Sequence, residues 1–343
     1  MSTMQGAPPW LLESLRSDPI RMVDVGARGG WQRKWRDHED VVSFVGVEPD
    51  VEECARLRAG AKPNEQFIDR ALYHSVGEVT LYLTDPPART SIYEPDLAAM
   101  RRIFNADSTK IARRIPVKVT TFDLAMAPLS LGPIDCVKLD TQGSELDILR
   151  GAEAALADAM IALEIEVEFT PIYHGQPTYP DVTTFLRTKG FEFIDFATTA
   201  STSHIRFGNR GLQGYGGMGD LVANWASLVR PRGGLRGGQR MIYADAIYFR
   251  EPDQWMTAVT KHGDRARSLG LRGFMTICIL GYDDQADEVA RRLHDAALIS
   301  SRELSEAHAY VDYRAATWRR AGADLARFGR RVAHRLQHLG TGR

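Results

Sequence analysis

The sequence predicts an α/β fold, an open and mostly parallel sheet flanked by helices and followed by a helical region. Three observations carry this. Short β-rich runs alternate with helical stretches between residues 20 and 250. The runs stop at glycine or acidic turns such as Gly26 and Glu48-Pro49. From residue 252 onward the pattern is helical, without strand signals. The chain has 343 residues, 43 Lys+Arg against 44 Asp+Glu, 44% hydrophobic and 25% charged residues. That is ordinary globular usage with ample material for a core. A net charge of −1 gives no bulk attraction to nucleic acid, which is not expected as a partner.

Residues 1–20 are an N-terminal lead-in, amphipathic around Trp10, Leu11, Leu12 and Leu15. Arg21 to Val25 reads as a strand, Trp31 to Asp40 as helical in composition, and Val41 to Val47 as a second strand. This order predicts a parallel βαβ unit. Residues 51–59 predict a short helix, Gln66 to Leu72 a third strand, and Glu78 to Thr84 an alternating strand. Residues 85–116 read as irregular, with a helix near 95–105. Ile134 to Leu139 is a strand, and a helix follows from Ser144 to about Ala157, with Leu146, Leu149, Ala152 and Leu156 on one face. Ile161 to Phe169 is the next strand, residues 180–189 a helix stopped by Gly190, and Phe191 to Phe196 another strand. Ten of the chain's 30 glycines fall in 208–238, which reads as a mobile loop, and Arg240 to Arg250 returns to strand. The division expected is a lead-in over 1–20, a main domain over 21–252 and a helical region over 253–343.

In such sheets a ligand sits beyond the carboxyl ends of the strands, at the switch point. Val23-Asp24-Val25-Gly26-Ala27-Arg28-Gly29-Gly30 provides a tight turn after the first strand, with a carboxylate at 24. Its spacing is not G-x-G-x-x-G, so a dinucleotide cradle is disfavoured; a turn needed only by the fold is the plain alternative. Glu48, at the second strand's end, can take both ribose hydroxyls, or be a surface Glu before Pro49. Asp69, at the end of the third strand, can accept from an adenine amino group or simply form a turn. Asp140 ends the Ile134–Leu139 strand, and Glu145 begins the next helix, where an anion is favoured in any case.

The blocks VDVGARGG, GVEPD, VKLDTQGSELDILRGA and EIEVEFTPIYHGQP, in this order, resemble the FkbM family of S-adenosylmethionine-dependent methyltransferases. Ile242 to Arg250 (IYADAIYFR) resembles that family's last core strand. The resemblance implies a class I methyltransferase (Rossmann-like) sheet with an antiparallel last strand, and methyl transfer to a hydroxyl oxygen. Position by position, it implies that Asp24, Gly26, Ala27, Arg28 and Gly30 face the methionine part of the cofactor. Glu48 would bind the ribose, Asp69 to Ala71 the adenine edge, and Asp140 and Gln142 would border the methyl group. Thr90-Ser91-Ile92 resembles the family's loop that closes over the site. Arg28 stands where Asn is usual, and His174 where Glu is frequent.

A sugar hydroxyl is a weak nucleophile, so a base or a metal should assist. Glu164, Glu166 and Glu168 share one face of the 161–169 strand; Glu166 and Glu168, nearest its carboxyl end, are read as cleft-facing, and Glu164 as lying on a solvated face. His174 is the other candidate base, or a loop residue that caps the cleft. Asp140, Glu166, Glu168, His174 and Asp245 would suit a hard divalent cation, though no local spacing requires one. Segment 208–238 would act as an acceptor-side lid, and Arg206, Arg210 and Arg230 could meet an acidic acceptor. His204 reads as structural or exposed.

From 313 to 343 there are eight arginines against one acidic residue, Asp324, with Trp318, Leu325, Phe328, Val332, Leu336 and Leu339 near helical spacing. Such a helix can rest on an anionic membrane surface, or pack on the core or a second subunit. Cys54, Cys136 and Cys278 are odd in number and far apart, which fits a reducing compartment, and no signal peptide is evident. The expected location is the cytoplasm, with membrane association as an addition. The function expected is S-adenosylmethionine-dependent O-methylation of a saccharide, glycolipid or related natural product. The alternatives are a non-catalytic cofactor-binding scaffold, a nicotinamide-dependent oxidoreductase and, last, a nucleic-acid methyltransferase.

Overall fold

In the computed structural model, residues 4–85, 87–104, 110–202, 213–214 and 240–317 are described. The strands are β1 (Ile20–Val25), β2 (Val42–Val47), β3 (Glu65–Ile68), β4 (Ala71–Leu72), β5 (Gly77–Asp85), β6 (Lys110–Thr120), β7 (Cys136–Leu139), β8 (Ala162–Glu168), β9 (Phe191–Thr202), β10 (Gln213–Gly214) and β11 (Arg240–Arg250). The helices are α1 (Pro9–Ser17), α2 (Arg33–Arg36), α3 (Val51–Ala59), α4 (Leu97–Phe104), α5 (Phe122–Met126), α6 (Glu145–Arg150), α7 (Glu153–Ala157), α8 (Tyr179–Thr188), α9 (Pro252–Thr260), α10 (Ala266–Leu280) and α11 (Asp283–Asp295). Residues 301–317, here α12, are also helical.

The main sheet runs β3-β2-β1-β7-β8-β11-β9-β10. β1 is parallel to β2 and β7, β2 to β3, and β7 to β8, while β11 is antiparallel to β8 and β9. Apart from β10, which adds antiparallel to β9 at the edge, this is the order, with one reversed strand, of the class I methyltransferase fold. The switch point lies between β1 and β7, because the chain builds outward through β2 and β3 on one side before returning to β7 on the other.

Alternation along the strands sends two sets of side chains to opposite faces. Val23, Val25, Val45, Val137, Leu139, Leu163 and Ile165 pack against Phe122, Leu146, Leu149, Val182 and Leu186 of α5, α6 and α8. Ile20, Met22, Phe44, Cys136, Ala162 and Phe249 pack against Leu11 and Leu15 of α1 and against α9, α10 and α11. The C-terminal helices share this sheet face with α1, α2 and α3, and Arg272 of α10 is 0% exposed.

Several expectations are redrawn. The 31–40 stretch forms only one helical turn, Arg33–Arg36. The expected third strand divides: Glu65–Ile68 joins the main sheet, while Ala71–Leu72 crosses to a second sheet, β4-β6-β5. β6 occupies the end of the stretch read as irregular. The helix expected from Ser144 to Ala157 breaks at Gly151, where a Cβ would stand 2.4 Å from the Tyr73 carbonyl oxygen. Of the glycine-rich 208–238, only 213–214 is described, as β10 against β9. Arg206, Arg210, Arg230, His204 and the basic stretch 318–343 lie outside the described residues. Arg314, the first arginine of that basic series, is buried against Asp283 at 2.9 Å, so it does not belong to a solvated basic face.

Candidate active site

The site is built where β1 and β7 end side by side. Asp140 N–H donates to the Val25 carbonyl, and a Cβ on Gly26 would stand 2.0 Å from the Asp140 carbonyl oxygen. Gly26 has φ +87°, so glycine is needed twice over, for the conformation and for the approach of the two strand ends. The turn's donors are spent internally: Gly26 and Ala27 N–H on the Val47 carbonyl, Gly29 N–H on Glu53, Gly30 N–H on the Ala27 carbonyl. They make no pyrophosphate cradle, which removes the structural basis of the nicotinamide reading.

A rung of buried charge crosses the sheet just below. Asp24, Lys138 and Glu164 are direct cross-strand neighbours on β1, β7 and β8. Lys138 Nζ is 3.1 Å from Asp140 Oδ2 and 3.7 Å from Asp24 Oδ1. Lys34 of α2 pairs with Glu164. Glu164, read as solvated, is instead buried and paired; sequence could not show this because its partner comes from α2. Asp24 is 3% exposed, and its Oδ1 has no hydrogen-bond partner. Burial pushes the Asp24 carboxyl up to about 6, although Lys138 opposes the shift.

Glu48 is also buried, and burial raises its carboxyl. Its Oε1 accepts from Asp50 N–H at 3.0 Å. Arg28, expected to face the methionine part, turns toward this second acid instead, 2.7 Å from Asp50 and 4.0 Å from Glu48. Asp69 is engaged by Arg58 at 2.7 Å, which lowers its carboxyl, while Ala71 has moved onto the second sheet. Val51 begins α3 and is 65% exposed, a large apolar side chain three residues from Glu48. Sequence reading passed over it; its only signal was an apolar residue directly after an acidic strand end.

Beyond the seam the acids converge on the Asp140–Glu145 loop. Glu145 is buried and accepts from Thr141 N–H at 2.6 Å and Gly143 N–H at 2.9 Å, so it shapes the loop from within. Burial lifts it to about 7. Gln142 holds φ +62°, a strained conformation for a residue with a Cβ. Four contacts enforce it: Nε2 donates to Glu166 at 2.7 Å and Asp140 at 3.3 Å, Oε1 accepts from Tyr173 at 3.3 Å, and its carbonyl accepts from Ser91 Oγ at 2.7 Å. Ser91 thereby ties the 90–92 loop over the site.

Glu166 and Glu168 are raised well above the usual carboxylate range, first by burial and then by neighbouring acids, Asp140 for the former and Glu145 for the latter. Asp245 lies opposite Glu166 across β8 and β11. His174 is not drawn into this group: it is exposed on the following loop, its N–H bonded to the Glu94 carbonyl. Among the described residues no group of three or more His, Cys, Asp or Glu is arranged to hold a metal ion. Of the candidate metal set, Asp140 accepts from Lys138 and Glu166 from Gln142.

Residues 24–193 match the family described as the methyltransferase FkbM domain. No curated protein matches the chain significantly. Similar solved structures include a precorrin-6y C5,15-methyltransferase from Geobacter metallireducens, at 10% identity and TM-score 0.29, covering 71% of this chain and 85% of that one. A Burkholderia thailandensis 1,6-didemethyltoxoflavin-N1-methyltransferase with bound S-adenosylhomocysteine has 14% identity, TM-score 0.26 and coverages of 73% and 78%. A 16S rRNA (adenine(1408)-N(1))-methyltransferase mutant from Catenulisporales acidiphilia has 15% identity, TM-score 0.32 and coverages of 71% and 93%. The chain carries an FkbM-type, S-adenosylmethionine-dependent methyltransferase domain.

Proposed function

We propose that this domain methylates a hydroxyl oxygen of a saccharide, glycolipid or related natural product in the cytoplasm. The observation that carries the reading is the pair of half-buried Glu166 and buried Glu168, carboxylates at the carboxyl end of β8 beside Asp140 and the switch point. A hydroxyl nucleophile must lose a proton, and burial gives these acids the higher basicity that task needs. The residues also fit the cofactor. Asp24 Oδ1 lacks a partner in a buried position suited to an ammonium, Glu48 suits a ribose diol, and Val51 offers an apolar wall for a base.

When bound, the cofactor supplies a sulfonium methyl group for in-line displacement. The chain's part is alignment and proton removal. Gln142 fixes Glu166 through Oε1, which leaves Oε2 to receive the hydroxyl proton. The Ser91 and Tyr173 contacts hold Gln142 in place and limit water over the loop. The test incubates the full chain with methyl-labelled cofactor and an extract of envelope glycans and lipids, with and without a chelator. Label should enter sugar hydroxyls and persist with the chelator. Label confined to nucleic acid or protein overturns the acceptor class, and loss of labelling with the chelator overturns the metal-free assignment of Glu166.

A further inference from the structure

One buried group at the seam has no place in that scheme. Lys138 is 5% exposed in a strand whose other three residues, Cys136, Val137 and Leu139, are apolar and buried. A lysine there loses hydration and rotamer freedom, so its retention needs a return. Its ammonium stands between the acid on the last-but-one residue of β1 and the acid that follows β7, bridging the two strands whose ends bound the switch point. It donates to Asp140 at 3.1 Å but stands 3.7 Å from Asp24 Oδ1, which therefore carries a neighbouring positive charge without a hydrogen bond. A buried carboxylate oxygen kept in that state is suited to a donor arriving from a ligand. Glu164 and its partner Lys34 close the rung on the far side.

Resting on the cofactor reading above, we propose that Lys138 is a positioning residue: it spaces and charge-balances Asp24 and Asp140 so that they receive the amino-acid end of the cofactor. It touches no ligand itself. Its influence is confined to the end that Asp24 faces, and the nucleoside end, assigned to Glu48 and Val51, lies beyond its reach.

The experiment compares S-adenosylhomocysteine with methylthioadenosine, which shares the nucleoside and thioether but lacks the amino-acid end. Both are titrated calorimetrically into the wild type, Lys138→Met and the double variant Asp24→Asn/Lys138→Met. Thermal unfolding of each ligand-free protein is recorded alongside. In Lys138→Met, S-adenosylhomocysteine should weaken about tenfold or more, the effect of one charge-assisted hydrogen bond, while methylthioadenosine stays within about twofold. The melting temperature should fall in the single variant, which leaves buried acid without its counter-charge, and recover in the double variant, which removes both. The affinity for S-adenosylhomocysteine should not recover with it. If Lys138→Met does not fold, Lys138→Arg, which keeps the charge but alters the spacing of Asp24 and Asp140, carries the same two-ligand comparison.

Equal weakening of both ligands would make Lys138 a merely structural residue and overturn the proposal, as would unchanged affinity for S-adenosylhomocysteine. A wild type that binds neither ligand overturns the cofactor reading itself, an outcome distinct from either.

Discussion

β1 and β7 carry acids at both ends, and the two pairs are treated differently. Asp18 and Asp135 precede the strands; Asp24 and Asp140 stand at their far ends. At the amino ends the partner is Arg272 of α10. Its Nε donates to Asp135 at 2.8 Å, its Nη1 lies 3.3 Å from Asp18, its Nη2 bonds the Pro133 carbonyl, and Asp135 also accepts from Arg21 N–H at 2.7 Å. At the carboxyl ends the partner is Lys138, which makes one hydrogen bond and leaves Asp24 Oδ1 without any. A guanidinium fork can satisfy several acceptors at fixed angles, whereas an ammonium acts closer to a point charge. The network that is complete locks a helix to the sheet; the one left incomplete surrounds the candidate site.

The most severe way to break this comparison is at the complete network. Arg272→Met removes one partner from buried Asp135 and should cost about 3–5 kcal/mol of folding stability in urea denaturation. S-adenosylhomocysteine affinity of the protein that still folds should stay within about twofold, because the staple lies at the opposite end of the strands. A stability loss below about 1 kcal/mol would mean that the amino-end network does not hold the C-terminal helices.

Asp24→Asn should do the reverse. Burial lifts the Asp24 carboxyl from 3.8 to about 6. Between those pH values the folded protein holds a proton that the unfolded chain has already released. The stability from that proton is full below 3.8 and is lost as pH rises through about 6. Above this window wild type carries a penalty of up to about 3 kcal/mol that Asn does not. The variant should therefore melt later than wild type at pH 8, and the two should coincide near pH 4. Parallel melting curves across that range would show that the acid is not held at strain. Glu48→Ala follows in size: cofactor affinity measured by calorimetry should drop by about 1 kcal/mol or more, the contribution of at least one hydrogen bond. Unchanged affinity would refute the ribose assignment.

Much of the site was legible because it is local. Gly26 and the end of β1, Glu48 after β2 and Asp140 after β7 each close a short apolar run, and each falls where the run predicts. The charge rung was not legible, because its partners meet only across strands. Lys138 stood visibly alone in an apolar run, yet nothing nearby in sequence points to Asp24. Glu164 read as wet because Lys34, which neutralises it, arrives from α2. β6 escaped for another reason: exposed Arg113 interrupts its alternating face of Ile111, Ile115, Val117 and Val119, and Pro116 lies within the run. The split between β3 and β4 turns on Asp69-Arg70, two residues that look like an ordinary interruption until the sheets are seen.

The smallest effect tests the nucleoside end of the same pocket. Val51 presents its isopropyl group to solvent at the start of α3, while Asp50 caps that helix by accepting from Glu52 and Glu53 N–H. Replacing Val51 with Ser should leave stability within about 0.5 kcal/mol, because the side chain packs against little of the protein. Any cost must then appear on ligand binding, where covering part of a valine side chain contributes less than its full burial, on the order of 0.5–1 kcal/mol. Methylthioadenosine and S-adenosylhomocysteine share the nucleoside, so both should weaken together, by about threefold. That parallel loss is the counterpart of the split expected from Lys138→Met. A Val51→Ser protein in which only S-adenosylhomocysteine weakens would place the amino-acid end, not the base, against α3 and would exchange the two halves of the pocket.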